Sequence, residues 1–347
     1  MPMQMKIRFC LTALLASCGG WLAQQANIPL AWLIGSLLVT MLLGLRFPIT
    51  VPRKLYRSGQ IIVGTAVGLS VPPEVVDRIG PHVPTILAGA LISIAVGRLL
   101  APVVARAGKL DLRTAFFAMV PAGISEMADL AARHGADAGA VALFHTLRVC
   151  FIVLLLPTLI VSLSPTTLDL HSTDGSWDRY LLIALLTALA AAYAGNRLGL
   201  PSAFVVAPMI ALALLSASGV LVAREPAILL AVAQIALGLS LGARFRADTL
   251  KRLPRALAGG IPIILLHGAL MLGLAVLAAE MTGLALPELL MGFATGGTAE
   301  MVLTAQIVAA DAALVAAYQV TRGLLGNLLA GPLYRWTILP RLPKNKG

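Results

Sequence analysis

Apolar residues in this chain do not alternate at a strand's period, nor do they keep to one stripe of a surface helix. They run in long blocks divided by short polar loops. The blocks lie near 9–25, 28–45, 58–71, 83–104 and 136–163 in the first half, and near 180–196, 201–220, 227–243, 257–279 and 311–334 in the second. Most come close to the ~20 residues that cross a bilayer's hydrocarbon. The pattern predicts an all-α polytopic membrane protein with about five transmembrane helices per half, 58–71 being short.

Between the fourth and fifth block of each half lies a further apolar stretch, 112–134 and 286–310, interrupted in its middle by Pro121-Ala-Gly123 and by Thr295-Gly-Gly297. Proline and glycine release backbone groups that lipid cannot satisfy, so an unbroken helix is not expected there. A broken helix that crosses and a re-entrant hairpin that returns both fit such a stretch. Directly after each break the chain repeats itself: Gly123-Ile-Ser-Glu-Met127 comes back as Gly297-Thr-Ala-Glu-Met301, 174 positions later. The same offset relates Asp137 to Asp311, Arg148 to Arg322, Gln60 to Gln234, Gly64 to Gly238 and Gly68 to Gly242. Polar and glycine positions would not hold one offset through apolar bias alone, so the chain is an internal duplication whose halves fold alike. Pro121 against Thr295 and His145 against Gln319 mark divergence. The first repeat is taken as 1–163, a linker as 164–177 and the second repeat as 178–347.

Composition agrees with the blocks. In 347 residues 59% are hydrophobic and 12% charged, and the mean hydropathy is +0.92, which belongs to multispanning membrane proteins. The net charge of +11 would suggest nucleic acid only if the basic residues shared one solvated face, whereas they occupy short loops; no direct nucleic-acid partner is expected. Cys10, Cys18 and Cys150 stand isolated in apolar blocks and read as packing residues. The five histidines form no helical pair of the kind that a metal site favours, so no metal or cofactor is expected; His145 and His267 read as hydrogen-bonded helix residues. Lys6, Arg8 and the run to Cys18 resemble a lipoprotein signal, but the match of 12–20 to 187–195 makes the first block one wall of the fold.

Loop charge chooses between the two arrangements of the interrupted stretches. If they return, the N-terminus, 46–57, 105–113, Arg197, 244–255 and the C-terminal tail share one side and carry 2, 4, 3, 1, 5 and 4 basic residues. Arg78, Arg179 and Arg224 remain on the other side, with the acidic linker. If they cross, the cluster Arg244, Arg246, Lys251, Arg252 and Arg255 moves outside, against the positive-inside rule. Inverted repeats with both termini cytoplasmic are therefore expected.

Two hairpins entering from opposite faces bring their tips to the midplane, where inverted-repeat carriers bind solute. The candidate binding residues are Gly123, Ser125, Glu126 and Arg148, with Gly297, Thr298, Glu300 and Arg322. Glycines let the chain turn and a ligand approach, and the helix that starts at Ile124 or Thr298 offers N–H groups to an anion. Glu126 and Glu300 read either as first-turn residues that complement the dipole or as groups that couple to H⁺ or Na⁺. Arg148 and Arg322 lie deep in apolar helices and need partners, the two glutamates or a substrate anion. Asp137 and Asp311 are expected to cap the helices they precede. The glycines at 64, 68, 238 and 242 have close-packing spacing, and Gln60 and Gln234 are expected to support the hairpins.

Taken together, Pro29 to Gly35 and Pro201 to Pro208, the repeated Gln-Ile-x-x-Gly-x-x-x-Gly and the repeated Gly-x-x-Glu-Met resemble the AbrB-type duplicated membrane proteins of Gram-negative bacteria. The resemblance covers nearly the whole chain and implies an inner-membrane location. It brings labels such as regulator of gene expression or ammonia monooxygenase, and no substrate. The family shares its name with a small soluble DNA-binding regulator, whose strand-rich fold this chain does not resemble, and it is similar to inverted-repeat cation/proton antiporters and anion transporters. Three functions are weighed: a secondary transporter of a small polar or anionic solute, a membrane regulator that senses a ligand, and a monooxygenase. The last needs clustered copper or iron ligands, and the histidines are scattered. The chain is expected to be no enzyme; its partners are the bilayer and a small solute or ion, with a homo-oligomer left open.

Overall fold

The structure, a computed structural model, describes residues 3–71, 79–163, 175–221 and 223–341, with side chains from residue 7 onward. The first half supplies α1 (Met3–Gln25), α2 (Ala31–Gly44), α3 (Arg53–Ser70), α4 (Val83–Gly108), α5 (Leu112–Met119), α6 (Ile124–Arg133) and α7 (Ala138–Leu163). The second supplies α8 (Arg179–Arg197), α9 (Ala203–Ala217), α10 (Ala227–Gly242), α11 (Ala247–Arg252), α12 (Pro254–Thr282), α13 (Leu286–Phe293), α14 (Thr298–Ile307) and α15 (Ala312–Thr337). The described residues contain no β-strand, and six helical stretches are long and apolar enough to span a bilayer: Ile7–Gln25, Gly80–Gly108, Ala138–Leu163, Arg179–Arg197, Ala227–Arg252 and Pro254–Thr282. This is a polytopic all-α membrane protein. Both ends of α5, α6 and α7 recur 174 residues on in α13, α14 and α15. Arg78, most of the linker (164–174) and the last residues of the C-terminal tail lie outside the described residues.

Several helices start earlier than their apolar blocks, α3 among them. The helix of the expected block 58–71 begins at Arg53, directly after Pro52, whose extended backbone ends the preceding loop. The guanidinium of Arg57 lies 4.5 Å from the centre of the Phe204 ring, a cation–π contact that keeps this turn against the protein.

The helices sort into two groups. In one, α2 lies along α1 and α10, α9 lies along α8 and α3, and α3 meets α10. In the other, α4 packs on α12 and α15, and the short helices α5, α6, α13 and α14 gather around α7 and α15. Small residues make the first group possible. Added Cβ atoms at Gly64 and Gly68 would run into the backbone of α9 at Val205 and Met209, and at Gly238 and Gly242 into that of α2 at Leu33 and Leu37. The repeated glycines thus do the same job twice, each pair seating the other half's second helix at backbone distance, where dispersion drives association in lipid. Gln234 belongs to this contact, its Oε1 accepting from Leu33 N at 3.3 Å. It does not support a hairpin as expected, because α10 turns that face toward α2. Gln60 makes no hairpin bond among the described residues either.

Each interrupted stretch turns back on itself. The hydroxyl of Thr114, in the first turn of α5, accepts from Asp137 N at 2.9 Å, beyond the end of α6. Arg113 Nη1 donates to His134 O at 3.4 Å, and the Phe117 ring lies 5.6 Å from that of His134. In the second half, Glu288 Oε1 accepts from Asp311 N at 3.2 Å, tying the start of α13 to the end of the segment after α14. The arms run antiparallel, so each stretch folds as a helical hairpin.

The glycine contacts lead to a stability test. Gly238→Ala puts a Cβ 2.6 Å from Leu33 O and should cost about 1–3 kcal/mol through overpacking. Gly273→Ala, where a Cβ meets nothing within 4 Å, should leave the melting temperature in detergent unchanged or raised. Equal melting temperatures for the two variants would contradict the packing described.

Candidate functional site

The hairpins are built from ordinary helix signals. In the first, Asp111 caps α5 by accepting from Thr114 N at 3.0 Å. The helix stops at Met119 because Pro121 cannot continue it and Val120, before the proline, is extended. Asp137 Oδ1 then accepts from Ala140 N, and Asp311 Oδ1 accepts from Ala313 N and Leu314 N; both aspartates cap their helices as expected.

Stopping α5 and α13 inside the protein leaves their last carbonyls without helical partners, at the negative end of each helix dipole. Arg148 and Arg322 answer this need. Arg322 donates to Ala294 O and, at 2.9 Å, to Gly296 O. Arg148 donates to Met119 O of its own half at 3.4 Å and to Thr295 O of the other hairpin at 3.2 Å. The expected carboxylate partners are not used: no carboxylate hydrogen-bonds either guanidinium among the described residues. Both arginines are buried. A guanidinium with five N–H donors in a plane suits a set of carbonyls better than it suits one carboxylate.

A second residue works with each arginine; His145 is the hydrogen-bonded helix residue expected, and its partnership with Arg148, like that of Gln319 with Arg322, is what the sequence did not show. His145 Nε2 lies 2.9 Å from Phe117 O and its Nδ1 lies 3.0 Å from Arg148 Nη2. A carbonyl only accepts and a guanidinium only donates, so the hydrogen is on Nε2 and the ring is neutral. Gln319 does the same with an amide: its Nε2 donates to Met291 O at 2.6 Å and to Ala294 O at 3.0 Å, and its Oε1 accepts from Arg322. His145 against Gln319 reads as divergence in the sequence. In the fold it is one role kept by two side chains. His267 is also buried, and the Ser93 backbone of α4 is its close polar neighbour.

The tips differ from expectation in why they need glycine. Gly123 and Gly297 have φ of −62° and −85°, open to any residue, so neither position is forced by a left-handed turn. Room decides instead. The carboxylate of Glu126 folds over Gly123 and that of Glu300 over Gly297, each filling the place where a Cβ would stand. This is where an N3 glutamate returns toward its N-cap in a capping box. Each tip also rests on the other half's last helix. Gly123 N donates to Asn327 Oδ1 on α15 at 3.3 Å, and Gly296 lies against Ile152 on α7.

The two tips are not equivalent. Ser125 and Glu126 are exposed, while Glu300 is 1% exposed and accepts from Tyr56 OH at 3.3 Å. Thr298 is held by Ser202 Oγ at 3.4 Å, and Gln306, at the far end of α14, donates to Glu225 Oε1 at 3.0 Å. Tyr56, Ser202 and Glu225 all belong to the first helix group or its loops, so α14 rests on that group along its length while the tip of α6 stands clear.

Residues 32–338 match the family described as AbrB, Transition state regulatory protein AbrB. The chain belongs to the AbrB family. It is 26% identical over 352 residues to the "Putative regulator AbrB" of Escherichia coli (strain K12), covering 99% of both chains. It is 27% identical over 352 residues to YhjN of Bacillus subtilis (strain 168), covering 92% of this chain and 91% of that one.

In this AbrB-family chain, Arg322→Lys should behave much like Arg322→Ala. A point donor cannot bridge Ala294 O, Gly296 O and Gln319 Oε1 together, and each buried carbonyl left unmet costs about 1–3 kcal/mol. Thermal unfolding in detergent checks it; a lysine variant as stable as the parent would contradict the assigned role. Gly297→Ala should destabilise the protein, and Glu300→Ala in the same chain should recover part of the loss, a coupling that a double-mutant cycle reads directly.

Proposed function

We propose that this AbrB-family protein is a secondary transporter, moving a small polar or anionic solute by alternating access, and that it is a carrier rather than an enzyme. The observation that carries the reading is the pair of returning hairpins, each with its break held by an arginine and its tip laid on the other half's last helix. A segment that returns adds no crossing. Five crossings per half then turn the second half over relative to the first and put 46–57, 105–113 and 244–255 on the cytoplasmic side of the inner membrane with both termini, in keeping with the positive-inside rule. Inverted halves with half-helices meeting near the midplane are the design in which carriers place solute and coupling ion. The free N–H groups at the start of α6 and α14 supply the polar surface.

The asymmetry of the tips fits alternation. One glutamate is sealed against the first helix group and its counterpart is open, as expected when two like halves hold unlike positions and exchange them. Coupling to H⁺ or Na⁺ is assigned to the open glutamate, Glu126.

A second reading, a membrane regulator that senses a ligand with the same site, is favoured by the family's description and by the E. coli relative's name. Reconstitution into liposomes separates the two. With small carboxylates and amino acids inside and outside, a transporter gives counterflow of a labelled solute, and Glu126→Gln and Glu300→Gln each reduce it by about tenfold or more. Saturable binding without any flux would reject transport in favour of the sensor.

A further inference from the structure

Among the described residues, several buried polar atoms have no hydrogen-bond partner, and two carry opposite charge: Arg244 Nη1 and Glu300 Oε2. Both flank one aromatic side chain. Tyr56, in the first turn of α3, donates its hydroxyl to the other oxygen of Glu300 at 3.3 Å, and the Arg244 guanidinium lies 5.7 Å from its ring centre. The charge of Arg244 acts on both Tyr56 and Glu300. Yet no hydrogen bond joins the arginine to the glutamate, although a direct pair would relieve both.

A buried donor and a buried acceptor without partners, on two groups that both lie against Tyr56, are each destabilising by about 1–3 kcal/mol. These two groups suit a partner that accepts at one end and donates at the other. A bare cation is repelled by Arg244 and a simple anion by Glu300, so neither suits both groups. A zwitterion does. Glu300 Oε2 lies over the Cα of Gly297, so whatever reaches it sits at the hairpin tip. Arg244 follows α10 in the first helix group, and Glu300 belongs to α14 in the second, so a bound solute would bridge the groups that must shift. The positions 174 residues from Tyr56 and Arg244 are Leu230 and Ser70, which provide no second copy.

We propose that Tyr56, Arg244 and Glu300 form a subsite for a small zwitterionic solute of the α-amino acid class, its carboxylate on Arg244 and its ammonium on Glu300. This rests on the transporter reading and names the solute class for it. The test is calorimetric binding to the purified full chain, using a panel of neutral α-amino acids, with propionate and ethylamine as compounds that carry one charge each. At least one amino acid should bind, and both single-charge compounds should bind about tenfold more weakly or worse. Arg244→Gln and Glu300→Gln should each weaken the amino acid by about tenfold or more. Tyr56→Phe, which keeps the ring beneath Arg244, should weaken it less. Circular dichroism and size-exclusion profiles matching the parent's qualify each variant.

Propionate binding as tightly as the amino acid, no amino acid binding at all, or an unchanged affinity in a folded Arg244→Gln variant would each overturn the subsite. The two readings fail separately. An amino acid that binds through these residues but never crosses a liposome membrane removes transport and leaves the subsite. Flux of another solute, equal in parent and Arg244→Gln, removes the subsite and leaves transport.

Discussion

A helix that stops in the middle of a membrane protein leaves carbonyls that neither lipid nor water can meet, and the fold is arranged around satisfying them. Arg148 and Arg322 do so at α5 and α13, with His145 and Gln319 holding both the carbonyls and the arginines. This explains a charged residue deep in each apolar helix without calling on an ion pair. It also fixes where the hairpins turn, since the carbonyl set exists only if the chain breaks at 120–123 and 294–297. Because the guanidinium needs are met by the backbone, Glu126 and Glu300 are left for other work.

What remains mobile follows from what is tied. The hairpin arms are clamped at their bases through Thr114 with Asp137 and Glu288 with Asp311, and their breaks are clamped by the arginines. Among the described residues, the hydrogen bonds between the two helix groups are single side-chain bonds that join Ser202, Tyr56 and Glu225 to α14. Such bonds are worth about 0.5–1.5 kcal/mol apiece. A contact of this strength holds a position without locking it, which is what a reversible shift of one group against the other requires.

The helices and the duplication were legible in the sequence because both are one-dimensional: block length gives spans, and a constant offset gives the repeat. The caps at Asp137 and Asp311 and the packing glycines were legible for the same reason, each being a local signal. The partners of the arginines were not. Their acceptors are main-chain carbonyls, which every residue carries and no letter announces. His145 and Gln319 were read as divergence because sequence compares side-chain names, whereas the fold uses only a donor and an acceptor three residues before an arginine. Tyr56 and Arg244 lie outside the repeated motif, and only the packing of α3 on α14 and of α10 on α3 brings them to it. Gln234 carries a repeated polar signal, but the rotation of α10 turns it to α2.

The reading of function depends on one topological claim, that each interrupted stretch returns and so sets the halves in opposite orientation. Single cysteines at Ser176 and Asp248, in a chain whose three native cysteines are replaced, test it in intact cells with a membrane-impermeant thiol reagent. Both positions are exposed. Inverted halves predict that position 176 reacts from outside and position 248 only after the membrane is opened. Labelling of 248 in intact cells, with 176 protected, would contradict the account.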